Sequence, residues 1–184
     1  MTAAAAFPGF ASPAVGFDQP FEMLQACHER VERSLALLDR LVAHVRDHGH
    51  GDTSRSAARD VLRYFDLAAP HHHQDEELHV LPRLLASNDA DLRALAEQLV
   101  AEHRRMEVLW AALRGPLQQW TDDRPVSTVF PLLDALAEFK SLYAGHIARE
   151  EDHAYPQARA ALDGAALAGM GAEMSARRRG MVSR

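Results

Sequence analysis

Four stretches of the chain repeat their apolar residues at the three- and four-residue spacing of an amphipathic helix. The first predicted helix runs from about Pro20 to His48, and its apolar face also carries His28. The other three are predicted at about 55–86, 89–120 and 128–161. Short polar turns separate them, and β-branched residues are sparse, so no strand pattern competes. This pattern predicts an all-α protein, an antiparallel up-down-up-down four-helix bundle.

The predicted bundle occupies residues 20–162, and shorter segments flank it. Residues 1–19 are rich in Ala, Pro, Gly and Phe without periodicity, and we interpret them as an extended arm. Residues 163–184 are expected to form a short helix followed by a solvated basic tail at Arg177–Arg179. Within the second long helix, Pro70 cannot donate to the helix ladder, so we expect a kink there.

One polar motif occurs twice, in the second and in the fourth predicted helix. The first copy reads HHHQDEELHVLP and contains His72 and Glu76. The second reads HIAREEDHAYP and contains His146 and Glu150 at the same offset. Residues four apart share one face of a helix, so each copy presents an imidazole beside a carboxylate. Two helices that each present such a pair can converge on a metal ion.

A single histidine precedes each copy of the motif on its own apolar helix. His28 lies 44 residues before His72, and His103 lies 43 residues before His146. One histidine on an apolar helix is usually a hydrogen-bonded core residue. The agreement of four histidines in type, spacing and order instead indicates a duplicated helical unit, and favours a ligand role for all four.

Four imidazoles and two carboxylates form a donor set that suits iron, and also manganese or zinc. The chain has one cysteine, Cys27, so thiolate ligands and an internal disulfide framework are not expected. In a bundle, Glu76 and Glu150 could each bridge two metal ions while the histidines complete the coordination. A water or oxide could complete the bridge and leave a position open for a small ligand.

Composition sets broad limits on partners and location. The 184 residues carry a formal net charge of −6, which argues against a nucleic-acid partner. We see no signal peptide and no apolar stretch of about 18 residues, so neither secretion nor a membrane span is expected. A soluble cytoplasmic protein is therefore predicted. The sequence leaves a protein partner open.

The order of the motif residues separates two classes of diiron protein. Ferritin-like proteins use Glu-x-x-His, with the glutamate first, whereas here the histidine comes first and the glutamate follows four later. The chain thereby resembles the bacterial hemerythrin-like, or HHE cation-binding, family over about residues 20–160. That resemblance implies two iron ions with an oxo or hydroxo bridge. It implies these ligands: His28, His72, Glu76, His103, His146 and Glu150.

The resemblance also implies that the centre binds a small molecule. It leaves open whether the protein turns that molecule over. Respiratory members have a second histidine four residues after the third-helix histidine, where this chain has Glu107. Glu107 is therefore a further candidate ligand, and Glu32 and His73 stay open. An anionic ligand favours ferric iron, which argues against reversible O2 carriage and favours redox, peroxide or nitric oxide chemistry, or iron sensing. The leading hypothesis is a protein that binds or senses O2, nitric oxide, peroxide or iron. The alternatives are a diiron enzyme (peroxidase, catalase-like or nitric oxide repair) and a metal-stabilised interaction module.

Residues seven positions from each ligand histidine should lie two turns away, roughly 10 Å along the helices. In an antiparallel bundle they fall into two layers. One layer is apolar and is predicted to shelter a bound diatomic molecule; it contains Phe65, Phe139, Leu35 and Trp110. The other is predicted to pass protons or metal; it contains Phe21, Ala96, His79 and His153.

Overall fold

The structure is a computed structural model that describes residues 15–122 and 130–182, and every regular element in those ranges is helical. Two π-helical segments, Tyr64–Ala68 and Glu150–Ala154, interrupt longer helices. The α-helices are α1 (Pro20–His48), α2 (Asp52–Arg63), α3 (Ala69–His79), α4 (Leu81–Leu85), α5 (Ala90–Thr121), α6 (Phe130–Arg149), α7 (Tyr155–Ala160) and α8 (Gly164–Val182).

The long helices contact one another in a closed cycle. Helix α1 packs against α2, α2 against α5, α5 against α6, and α6 against α1. The all-α prediction is confirmed, while the up-down direction of the four helical segments stays a prediction. The predicted second helix is a continuous path of α2, a π-helical segment, α3 and α4 rather than one regular helix.

Both π-helical segments end two residues before a proline. The N–H of Ala69 donates to the carbonyl of Tyr64, just before Pro70, and the N–H of Tyr155 donates to Glu150, just before Pro156. A proline ring clashes with the carbonyl four residues back, and the wider π turn relieves that clash. The irregularity expected at Pro70 is therefore present, as a π turn. Each such turn also shifts the residues that follow it around the helix axis.

A buried polar layer divides the core into two apolar clusters. On α1, His28 lies between Leu24 of one cluster and Val31 of the other. On α5, His103 lies in the same way between Leu99 and Met106. The apolar clusters above and below hold the helices in register, and they keep the polar layer away from water.

The predicted solvated basic tail is wrong. Helix α8 continues through Arg177–Arg179, and both Arg177 and Arg178 pair with the fully buried carboxylate of Asp75 on α3. Gly171 of α8 meets the segment before α1 so closely that a Cβ atom there would lie 1.7 Å from the carbonyl oxygen of Phe17. The C-terminal helix is thus docked on the bundle by buried ion pairs. Residues 1–14 of the predicted arm lie outside the described residues.

Candidate metal centre

Six buried side chains from α1, α3, α5, α6 and the second π-helical segment converge in the polar layer. They form two groups, and the ligand atoms within each group all lie within 4.8 Å of one another. Glu76 and Glu150 belong to both groups. The first group adds His28 and His72, and the second adds His103 and His146. The structure therefore brings together every residue of the predicted set apart from Glu107.

The two glutamates connect the groups through different oxygen atoms. Glu76 places Oε1 3.1 Å from His72 Nε2 and Oε2 3.4 Å from His103 Nε2. Glu150 places Oε1 3.1 Å from His146 Nε2 and Oε2 3.1 Å from His28 Nε2. Each carboxylate thus reaches one histidine of each group, as a ligand shared between two metal ions must do.

The contacts fit a metal centre better than they fit a hydrogen-bond network. Glu76 and Glu150 are fully buried, yet Oε2 of Glu76 and both oxygens of Glu150 lack a hydrogen-bond partner among the described residues, although imidazole nitrogens lie 3.1–3.4 Å away. Buried carboxylate oxygens without such bonds are costly unless a cation compensates them. Neighbouring ligands on an ion with bonds of about 2.1 Å lie about 3 Å apart when the angle is near 90°. The donor set therefore fits metal ions.

Three of the four histidines are oriented by a carboxylate on the opposite ring nitrogen. A carboxylate that accepts from Nδ1–H fixes the tautomer in which Nε2 is free to bind a metal. In contrast, Nδ1 of His72 is buried without a hydrogen-bond partner among the described residues. The oriented pairs are His28 with Glu151 (2.8 Å), His103 with Glu77 (3.0 Å) and His146 with Glu102 (2.8 Å).

These orienting carboxylates were not predicted from the sequence, although a signal exists. Glu77 and Glu151 are the second residues of the Glu-Glu pair that both motif copies contain. Glu102 directly precedes His103, and the corresponding position before His28 is Cys27. The second repeated unit thus supplies a carboxylate that orients His146. The first unit has Cys27 instead, and Nδ1 of His72 has no hydrogen-bond partner among the described residues.

The hydroxyl of Tyr155 lies beside the first group. It donates a short hydrogen bond to Oε1 of Glu76 and lies 3.0 Å from Nε2 of His28. Burial, together with the nearby charges of Glu150 and Glu76, keeps the pKa of Tyr155 well above its usual value. The phenol therefore keeps its proton and directs it at Oε1 of Glu76. The sequence alone favours core packing over a donor role for Tyr155; the π turn places its hydroxyl beside the centre.

The predicted apolar layer is present on one side of the polar layer. The ring of Phe65 lies 5.0 Å from Trp110 and 5.2 Å from Phe139, measured between centroids. Leu35 belongs to the same cluster, and the indole N–H of Trp110 donates to Asp66 at 2.9 Å. This layer is aromatic and mostly buried.

The other predicted layer is wrong in its polar members. Phe21 and Ala96 are buried as expected, but His79 pairs with Glu173 of α8 at 2.7 Å and His153 is exposed. Helical irregularities explain both errors. Beyond the motifs, the break at residue 80 and the second π turn place their buried residues one position later: Val80, Leu81, Ala154 and Tyr155.

Two further candidate ligands also lie outside both groups. The carboxylate of Glu107 is 59% exposed and pairs with Arg104 at 2.7 Å, so the sequence prediction for Glu107 is wrong. Glu32 is exposed as well. The space beside the ring of His103 is filled from α3 by His73, whose ring stacks on it with centroids 4.1 Å apart. His73 belongs to neither group, although it touches a residue of the second.

Burial and charge act oppositely on the ligand histidines. For His28, burial alone lowers the pKa, but the carboxylates of Glu150 and Glu76, 3.1 Å and 3.8 Å from Nε2, outweigh it and raise the pKa to about 10. For His146, the charge of Glu150 and the bond to Glu102 likewise outweigh burial and raise the pKa to about 9. For His72, burial dominates and lowers the pKa to about 4. Without metal, protons on His28 and His146 compensate the buried carboxylates.

These shifts predict how the stability of the metal-free protein depends on pH. The stabilisation from His28 and His146 is complete below about pH 6.5 and is lost as pH rises to about 9–10. That from neutral His72 is complete above about pH 6.5 and is lost as pH falls towards 4. We therefore expect the free energy of unfolding, measured in urea between pH 4 and 10, to peak near pH 6.5. The alkaline decline should be shallower in His28→Asn, and an unchanged slope would contradict this account.

Fold and site together define an all-α protein with a buried centre of four histidines and two shared glutamates. Residues 19–158 match the hemerythrin HHE cation binding domain, so the chain belongs to that family. It is also 32% identical over 162 residues to a protein of Haemophilus influenzae (strain ATCC 51907 / DSM 11121 / KW20 / Rd) described as "Uncharacterized protein". That alignment covers 88% of this chain and 91% of its relative. Within the described ranges, no helix is long and apolar enough to cross a membrane.

Proposed function

We propose that this chain is a non-haem diiron protein that binds or senses O2, nitric oxide, peroxide or iron. The observation that carries the proposal is the pair of buried glutamates, since Glu76 and Glu150 each reach one histidine of both groups through separate oxygens. Four imidazoles and two carboxylates suit iron, and the one cysteine of the chain belongs to neither group.

The protein's own residues would hold and shield such a centre. Glu77, Glu102 and Glu151 orient three of the histidines, and increase the electron donation of their Nε2 atoms. The hydroxyl of Tyr155 donates a hydrogen bond to Oε1 of Glu76. The apolar clusters on either side exclude water. Iron, when bound, would supply reversible oxidation and an affinity for small ligands.

Turnover of hydrogen peroxide is the second candidate function. The specific observation that favours it is Tyr155, a buried phenol at hydrogen-bond distance from both Glu76 and His28. Disproportionation of two peroxide molecules to water and O2 consumes no protons overall but moves them between oxygen atoms, so a proton donor held beside the centre suits turnover, whereas simple binding does not need one. Oxygen release from added peroxide, measured for the iron-loaded protein and for Tyr155→Phe, separates turnover from binding.

Metal analysis combined with an optical spectrum tests the main proposal. We expect about two iron ions per chain in aerobically purified protein, with near-ultraviolet ligand-to-metal absorption, because each group supplies two histidines and the two shared glutamates. Both signals should disappear in His72→Ala and persist in His44→Ala, which changes an exposed histidine at the far end of α1. One zinc ion per chain, or no iron after anaerobic reconstitution with ferrous iron, would contradict the proposal.

A further inference from the structure

We infer that a cavity beside the centre holds small neutral ligands on their way to the His103/His146 half, and that His73 makes their polar contact. This inference rests on the proposed function, because it concerns how a ligand reaches the same centre. Beyond the proposed function, it states that the ligand enters through this cavity, that it reaches the group with His103 and His146, and that it bonds to His73.

The cavity has a volume of about 340 Å³, roughly ten times the share of one water molecule in the liquid. Its inner walls include Phe65, Trp110 and Phe139 of the apolar layer described above, together with Tyr143 and Met106. Such walls accept O2 or nitric oxide without a desolvation cost, and the volume leaves room for larger molecules of the same kind. The aromatic lining residues are Phe65, Trp110, Phe139 and Tyr143.

His73 forms the polar inner end of this cavity. Its side chain is buried, with 8% exposed, and Nε2 has no hydrogen-bond partner among the described residues. A buried nitrogen left unpaired is unfavourable, so a ligand that bonds to it removes that cost. The ring of His73 stacks on His103 with centroids 4.1 Å apart, and its centroid lies 5.9 Å from that of His72 and 6.2 Å from that of His146. A ligand held at His73 therefore lies beside the polar layer, nearest to His103 of the second group.

The first group of metal-binding residues, with His28 and His72, is covered by Tyr155. There the hydroxyl of Tyr155 already contacts Glu76 and lies 3.0 Å from Nε2 of His28, and its ring stacks on His28 with centroids 5.4 Å apart. No comparable side chain is recorded against the Nε2 atoms of His103 and His146, within the described part of the chain, apart from those of the centre itself. The second half is thus the one open to a ligand.

Charges at the mouth indicate which ligands are admitted. Arg104 pairs there with Glu77 at 3.2 Å and with Glu107 at 2.7 Å, and all three line the cavity. Two carboxylates and one guanidinium leave a net charge of −1, which disfavours anions. Small neutral molecules with one hydrogen-bonding end fit both the mouth and His73.

The test uses nitric oxide and the anaerobic diferrous protein. Stopped-flow spectroscopy gives the association and dissociation rates of nitric oxide for the wild type, His73→Phe and His73→Ala. Phenylalanine keeps the ring but removes the nitrogen, so we expect dissociation to become about tenfold faster, the effect of losing one hydrogen bond. Alanine removes the inner wall as well, so association should also become faster. The matched control is His71→Phe, two residues away on α3, which lines a different cavity.

The outcomes separate this inference from the proposed function. Faster dissociation in both His73 variants, with iron content and His71→Phe rates like the wild type, supports the cavity and its contact residue. Wild-type rates in both His73 variants would overturn the inference while leaving a diiron centre that binds nitric oxide. A wild-type protein that holds no iron would overturn the proposed function and this inference with it.

Discussion

For the proposed diiron centre, replacing Glu76 by alanine is expected to remove both metal ions together, not one of them. Glu76 Oε1 contacts His72 of the first group and Oε2 contacts His103 of the second, so one substitution takes a ligand from each. Substituting a residue that only contacts a ligand typically costs 10–100-fold in metal affinity, so loss of a shared ligand should cost more than about 100-fold. We expect the iron content, measured by elemental analysis after gel filtration, to fall from about two to well below one per chain.

The same experiment on Glu107 supplies the matched control. Glu107→Gln also removes one carboxylate near His103, but that carboxylate is exposed and pairs with Arg104. Its iron content should equal that of the wild type. If Glu76→Ala retained one tightly bound ion, Glu76 would serve a single metal and the shared geometry would be wrong. If Glu107→Gln lost iron, the carboxylate would have to move into the centre on metal binding.

The six convergent residues were predictable because their positions depend only on regular helix geometry. The offset of four between His72 and Glu76 fixes their common face, and the second copy at His146 and Glu150 repeats it. The two single histidines then follow from the duplicated spacing. No detail of packing between helices is needed for any of these predictions, which is why the all-α class and the metal-binding groups were both obtained from the sequence.

The errors arose where that regularity ends. The assignment of His79 and His153 to an inner layer assumed two regular turns beyond each motif histidine, but the chain leaves the α-helical path in both places. Prolines ten residues after each motif histidine, Pro82 and Pro156, were the available signal. Glu107 failed for a different reason, since a neighbouring helix supplies His73 beside His103 and no pattern within α5 reveals this.

The orienting carboxylates follow the sequence duplication only in part. Glu77 contacts His103, and Glu151 contacts His28, so the same motif position orients the single histidine of another helix in both halves. Glu102 orients His146, whereas Cys27 stands at the equivalent position and, among the described residues, His72 has no such partner. The two halves are therefore chemically unequal. They also differ in their surroundings: the phenol of Tyr155 lies beside the first group, and the cavity lined by His73 lies beside His103 of the second.

Removing both arginines that face Asp75 is expected to destabilise the fold by about 3–5 kcal/mol, the usual cost of leaving a buried charge uncompensated. Asp75 is fully buried between the motif residues His72 and Glu76, and it pairs with Arg177 at 2.8 Å and with Arg178 at 3.1 Å. In the Arg177→Met and Arg178→Met double variant, methionine keeps much of each apolar stem and leaves the carboxylate without a cation. Urea unfolding of the metal-free protein measures the change.

Replacing Asp75 instead of the arginines should lower the free energy of unfolding by less, because both guanidinium groups can still be paired or solvated. In Asp75→Ala, Arg177 keeps its pair with Glu173 at 2.6 Å, and the guanidinium of Arg178 can turn towards solvent. Combining Asp75→Ala with both methionine substitutions removes the buried carboxylate that has lost its cations. This triple variant should therefore be more stable than the double variant. A triple variant that is no more stable would show that helix α8 is held mainly by its apolar contacts through Met170 and Met174, which are buried in the core cluster below the centre.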